Sequence, residues 1–208
     1  MNLPAACANK PVIYKRRWCL KLKARKRFRM LDFVVIAAAL ITIMTYSWSI
    51  KAHFKSTRMP EGAWLISLLV IASGLVLGAL VYVLEQPTVT QYCGLVIMIA
   101  AYCLFWRTIA ETRAVALLAA FDEKLPASLV MSGPYRFVRH PFYSSYILFW
   151  AGFAVAAWSI WAIIPFIGMT VTYWRAARDE EAKFSKTPMA ETYARYVRET
   201  ARFIPGII

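Results

Sequence analysis

The sequence is short of the residues that build metal and redox sites. Its four cysteines, Cys7, Cys19, Cys93 and Cys103, form no Cys-x-x-Cys pair, and its two histidines, His53 and His140, stand far apart. No zinc site can be argued from such spacing, and no metal is expected. Cys93 and Cys103 fall inside an apolar run, where a free cysteine serves as a small packing residue. Acid is also scarce: 11 Asp and Glu face 25 Lys and Arg, a formal net charge of +14. Residues 1–30 hold ten basic residues and no acid. That stretch is too long for the charged part of a cleavable signal peptide, and no small-residue cleavage site follows it.

What the chain has in excess is apolar. It is 60% hydrophobic with a mean hydropathy of +0.51, a composition of integral membrane proteins rather than soluble domains. The positive charge raises nucleic-acid binding as a reading. A soluble nucleic-acid binder would not also carry several apolar runs of about 20 residues, the length a bilayer demands. The basic residues fit anionic lipid head groups better, and no nucleic acid or protein partner is expected.

The runs are Leu31 to Ile50, apolar except for Asp32, then Gly62 to Leu84, then Tyr92 to Trp106, which can extend as a helix towards Ala120. Gly74 and Gly78 have the small-xxx-Gly spacing that lets a second helix approach closely. Residues 107–142 read as a polar loop. From Tyr143 to Trp174 no residue is charged. One helix of that length would span about 48 Å, against a hydrocarbon core of about 30 Å. Two shorter helices with a bend near Trp158-Ser159 fit better, the second kinked at Pro165. The expectation is an all-α integral membrane protein of about five spans. A basic segment occupies 1–30, whose order the sequence leaves open. Three spans lie in 31–120, and a catalytic region with the hairpin and a polar tail lies in 121–208.

The hairpin returns the chain to the side it left, so the segment before Tyr143 and the tail after Arg175 share one membrane face. That face, with the 51–61 loop, holds 15 Lys or Arg against 10 on the other. The positive-inside rule makes it cytoplasmic, and the expected location is a bacterial inner membrane.

Two stretches on this face carry chemistry. Residues 132–145 read Ser-Gly-Pro-Tyr-Arg-Phe-Val-Arg-His-Pro-Phe-Tyr-Ser-Ser. Gly133-Pro134 makes a turn. The residue before each proline is biased to extended backbone, and Pro141 suits the first turn of a helix. One hairpin away stand Arg175, Arg178, Asp179, Glu180 and Glu181. Arginine, histidine and tyrosine at a membrane boundary commonly act as interfacial anchors, and acids at a helix start are favoured by its dipole. Brought together, the two stretches make a pocket for a charged or zwitterionic ligand.

The run Leu129-Val130-Met131-Ser132-Gly133-Pro134-Tyr135, then Arg139-His140-Pro141 and Tyr143, then Glu180-Glu181, Tyr193-x-x-Tyr196 and Phe203-Ile204-Pro205 resembles the isoprenylcysteine carboxyl methyltransferase family. Its wider relatives include membrane phospholipid methyltransferases. The resemblance runs from about residue 125 onward. It implies an S-adenosylmethionine-dependent membrane enzyme whose cofactor pocket holds Leu129, Val130, Tyr135, Arg139, His140, Pro141, Tyr143 and Glu180. The acceptor, a lipid or lipophilic small molecule, would arrive laterally from the bilayer. A carboxylate acceptor needs only an arginine to place it; Arg175 and Arg178 flank Ala176, where the prenylcysteine enzymes have theirs. An amine acceptor needs a base, with Glu181 and His140 as candidates. Ser144-Ser145 stand where relatives usually have glycine. Carboxyl O-methylation is the first expectation and amine N-methylation of a phospholipid the second. An NADPH-dependent membrane reductase of similar architecture and a non-enzymatic lipid-binding protein complete the alternatives.

Overall fold

A computed structural model describes residues 30–49, 63–121, 129–184 and 188–207. The basic segment expected over 1–30 lies, but for Met30, outside the described residues. Helix α1 spans Met30–Ser49. It is followed by α2 (Ala63–Val83), α3 (Thr88–Phe121), α4 (Pro141–Ala157), α5 (Ile163–Phe184) and α6 (Ala190–Glu199). Among the described residues there is no strand, only an isolated parallel bridge between Val138 and Ala201. The chain is an all-α membrane protein. Helices α1, α2 and α3 are long and apolar enough to cross a bilayer; α4 is a shorter apolar helix, and α5 turns polar after Trp174.

Local chemistry sets the boundaries. The Leu80 carbonyl near the end of α2 accepts the Leu84 amide at 3.1 Å and also the Gln86 side chain at 3.0 Å, which folds the connection back on the helix end. Pro87 then stops that helix, and α3 begins one residue later. Helix α3 continues to Phe121, so the residues after Trp106 are helical that far rather than loop. The bend between α4 and α5 falls at Trp158, whose φ of 34° is left-handed, and at Ser159, whose hydroxyl accepts from the Trp161 amide. A short 3-10 turn over Ile160–Ala162 leads into α5. Pro165 therefore sits in the first turn of α5 and makes no mid-helix kink. A proline there sacrifices no hydrogen bond, because the first amides of a helix have no partner within it.

Helices α3 and α4 run antiparallel in near-backbone contact. A Cβ added to Gly94 would lie 2.5 Å from the Gly152 carbonyl oxygen and 2.6 Å from the Ala156 Cβ. A Cβ on Gly152 would meet Met98 at 2.9 Å. Close approach through small residues thus occurs here. At the pair expected from spacing it does not: Gly74 meets only the tip of Ile43 at 3.4 Å, and Gly78 has nothing within 4 Å. Spacing alone could not say which glycines face a helix and which face lipid.

The buried core runs along α3 and α4 and takes in Val35 and Tyr46 of α1, Leu77 and Val81 of α2, and Met169 and Tyr173 of α5. At the end nearest the polar motif it is aromatic. The Tyr46 ring lies 4.5 Å from Phe105 and 4.7 Å from Tyr146, and Tyr146 lies 5.3 Å from Tyr173. At the opposite end Gln91, fully buried, donates to Asp32 and ties α1 to α3.

Candidate active site

The motif before α4 folds as two rigid pieces. Gly133–Arg136 form a 3-10 turn with Pro134 at its start. Gly133 is not extended, as a residue before proline usually is, but takes φ +57°; a Cβ there would lie 2.6 Å from the Glu111 carboxylate of α3. The left-handed φ favours glycine, whereas the Glu111 carboxylate, at the end of a flexible side chain, could move aside. His140 then caps α4 at φ −125°, ψ 65°, with Pro141 in the first turn.

The hairpin brings Glu180 and Glu181 to this motif. The face of α5 that meets α4 carries Tyr173 and Ala177, both buried, and Glu181 follows at the same four-residue step. Glu181 is the centre of an ion-pair knot. Its Oε1 accepts from Arg139 Nε at 3.1 Å, from His140 Nε2 at 3.1 Å and from Arg202 Nε at 3.1 Å. Its Oε2 accepts from Arg202 Nη2 at 2.7 Å. Burial alone would raise the Glu181 pKa, but the hydrogen bonds from Arg202, Arg139 and His140 outweigh it and hold the carboxyl below its ordinary value. Arg139 is itself buried and also donates to the carbonyls of Val197 (2.9 Å) and Thr200.

Glu180 is different. Its side chain is 48% exposed. It accepts from the Tyr143 hydroxyl at 2.6 Å and faces His140 Nδ1 at 3.4 Å. Tyr135 lies nearby: burial, then the neighbouring Tyr196 and Glu180, push its phenol above the ordinary value of 10. Flat rings stack beside Glu180, His140 on Tyr143 at 5.6 Å and Tyr143 on Tyr173 at 5.7 Å between centroids. The geometry thus provides one exposed carboxylate, fixed by a phenol and an imidazole and walled by aromatic faces.

The tail closes the site. The Arg139 and His140 amides donate to the carbonyls of Ala201 (2.8 Å) and Arg202 (3.2 Å). Ser144 donates to the Phe203 carbonyl at 2.8 Å, and the Tyr196 hydroxyl donates to the Tyr135 carbonyl at 2.7 Å.

Of the residues singled out in the sequence, Tyr135, Arg139, His140, Pro141, Tyr143, Glu180 and Glu181 come together. Leu129 and Val130 are half-buried in the segment leading to the turn. Arg175 and Arg178 do not join the cluster. Both are exposed, and Arg178 lies over the Trp174 ring at 4.9 Å. The cations paired with Glu181 come instead from the loop and the tail. Arg202 and Ser144 are the residues that sequence reasoning did not assign. Their signals were faint: Arg202 abuts the Phe203-Ile204-Pro205 tail, and Ser144 read only as a missing glycine.

A family model described as phospholipid methyltransferase matches residues 89–195, just over half of the chain. No curated protein and no solved structure matches it.

Proposed function

We propose that this chain, which belongs to the phospholipid methyltransferase family, uses S-adenosylmethionine to methylate the amine of a membrane lipid on the face where Glu180 lies. Family membership makes it a membrane methyltransferase acting on lipids; the cofactor, the acceptor group and the residue roles are our reading.

The carrying observation is Glu180, a half-exposed carboxylate pinned by Tyr143 and beside His140. The residues fit the cofactor. An anionic oxygen suits its ammonium, and phenol faces suit a sulfonium through cation–π attraction. When bound, the cofactor supplies an electrophilic methyl group. The protein's task is then to hold the acceptor in line with it, which can contribute up to about 7–11 kcal/mol.

The cations favour an amine acceptor over a carboxylate. Arg139 and Arg202 are committed to Glu181, and Arg175 and Arg178 point outward, so no arginine of the cluster is free to place a carboxylate. An amine acceptor gives up a proton. Glu181 is a weak base because three side chains hold it ionised. His140, donating through Nε2, presents Nδ1 within 3.4 Å of Glu180; the pair can take the proton and hand it to a solvent-facing carboxylate.

Calorimetric titration of the purified protein with S-adenosylhomocysteine tests the cofactor. Binding that Glu180→Ala and His140→Ala each abolish supports it; a folded protein that ignores S-adenosylhomocysteine overturns it. Mass spectrometry of membrane lipids with and without the protein tests the acceptor. Methylated amine head groups are expected, and methyl esters in their place would restore the carboxylate reading.

A further inference from the structure

We infer that Arg202 is a positioning residue of the methyl-transfer site: it sets the plane of the Glu181 carboxylate and so the orientation of the His140 ring. The inference rests on the reading of His140 and Glu180 as the cofactor site.

Three side chains share Oε1 of Glu181, but among the described residues only Arg202 reaches Oε2. A carboxylate held through one oxygen can swing about its last torsion. The arginine fork, bonding both oxygens from Nε and Nη2, removes that freedom, because guanidinium and carboxylate are coplanar when two parallel bonds form. Oε1 is then fixed where it accepts from His140 Nε2. The ring can satisfy that bond in one orientation, and Nδ1 is left facing Glu180.

Arg202 also holds the same histidine by its backbone. Its carbonyl accepts the His140 amide at 3.2 Å. The next residue, Phe203, sets its ring 6.1 Å from the imidazole and takes the Ser144 hydroxyl on its carbonyl. Main chain and side chain of one tail residue thus determine both where His140 stands and how it is turned. Arg202 lies beyond residue 195, where the family match ends. The sequence stretch that carries the family's signature does not contain all of the groups that arrange its site.

The test compares the full-length protein in lipid nanodiscs with Arg202→Gln, Arg202→Lys and Arg195→Gln. The last removes an exposed α6 arginine and controls for charge alone. Affinity for S-adenosylhomocysteine should fall about tenfold or more in Arg202→Gln, a scale taken by analogy from the loss of groups that orient metal-binding histidines. Arg202→Lys, a point donor without the fork, should recover part of it, and Arg195→Gln should bind unchanged. The second readout is the imidazole ¹⁵N spectrum, which resolves two histidines, His53 serving as internal reference. The His140 signals should move in both Arg202 variants. Unchanged affinity and unchanged His140 signals in Arg202→Lys overturn the proposal, even if Arg202→Gln fails to fold. If the unaltered protein binds no S-adenosylhomocysteine, the cofactor reading falls, while the His140 signals still decide whether Arg202 orients the ring.

Discussion

Glu180 and Glu181 are neighbours in sequence with opposite employment. Glu181 is 15% exposed and takes four hydrogen bonds from two arginines and a histidine, whereas Glu180 is 48% exposed and takes its hydrogen bond from one phenol. Neutralising them should have opposite signatures. Glu181→Gln leaves Arg139 buried without its counter-charge, and the loss of stability should be about 3 kcal/mol, read from denaturant unfolding in detergent micelles. Glu180→Gln should change stability by less than about 0.5 kcal/mol, yet remove S-adenosylhomocysteine binding. The sequence brought both acids to the motif but could not divide their labour. Which carboxylate turns inward depends on helix phase, and on Arg202, a partner 21 residues further on whose contact no local pattern announces.

Among elements, the α3–α4 pair is the scaffold on which the motif is mounted. Gly94→Val would drive a side chain into the Gly152 carbonyl and Ala156 and should cost about 1–3 kcal/mol, the range for overpacking, with a lowered midpoint in thermal unfolding. Gly78→Ala, with open space around it, should be neutral or stabilising by up to about 1 kcal/mol through helix propensity. If Gly78→Ala proved as damaging as Gly94→Val, the assignment of faces would be wrong. At this scale the sequence was most legible where a composition shift or a proline marks a boundary. The hairpin bend falls at Trp158 as expected, and Pro141 opens α4. It was least legible where a boundary rests on context. Gly133 takes φ +57° in place of the extended backbone usual before proline, a conformation open to it because it has no Cβ.

For the whole molecule, the knot around Glu181 couples loop, hairpin and tail to pH. Its carboxyl is held below the ordinary 4.5, so folding favours the ionised form. This stabilisation is complete above pH 4.5 and drains away as pH falls through the lower folded value. Thermal midpoints should therefore be flat with respect to Glu181 above about pH 6 and decline in acid. Glu181→Gln should flatten the acid limb; an unchanged limb would assign the acid sensitivity to other groups. The membrane face that is cytoplasmic is an expectation from charge counting, and protease access to the N-terminus of sealed vesicles tests it. The contact between Gly94 and Gly152 has a mechanical consequence. With no side chain between them, the two backbones lie closer there than larger residues would permit, so the contact fixes the separation of α3 and α4 at that level. Glu111, 17 residues up α3 from Gly94 and about 25 Å away at the helical rise, stands at the end of a long lever arm beside Gly133. A side chain wedged in at Gly94 that tilted α3 by about 5° would carry Glu111 through about 2 Å.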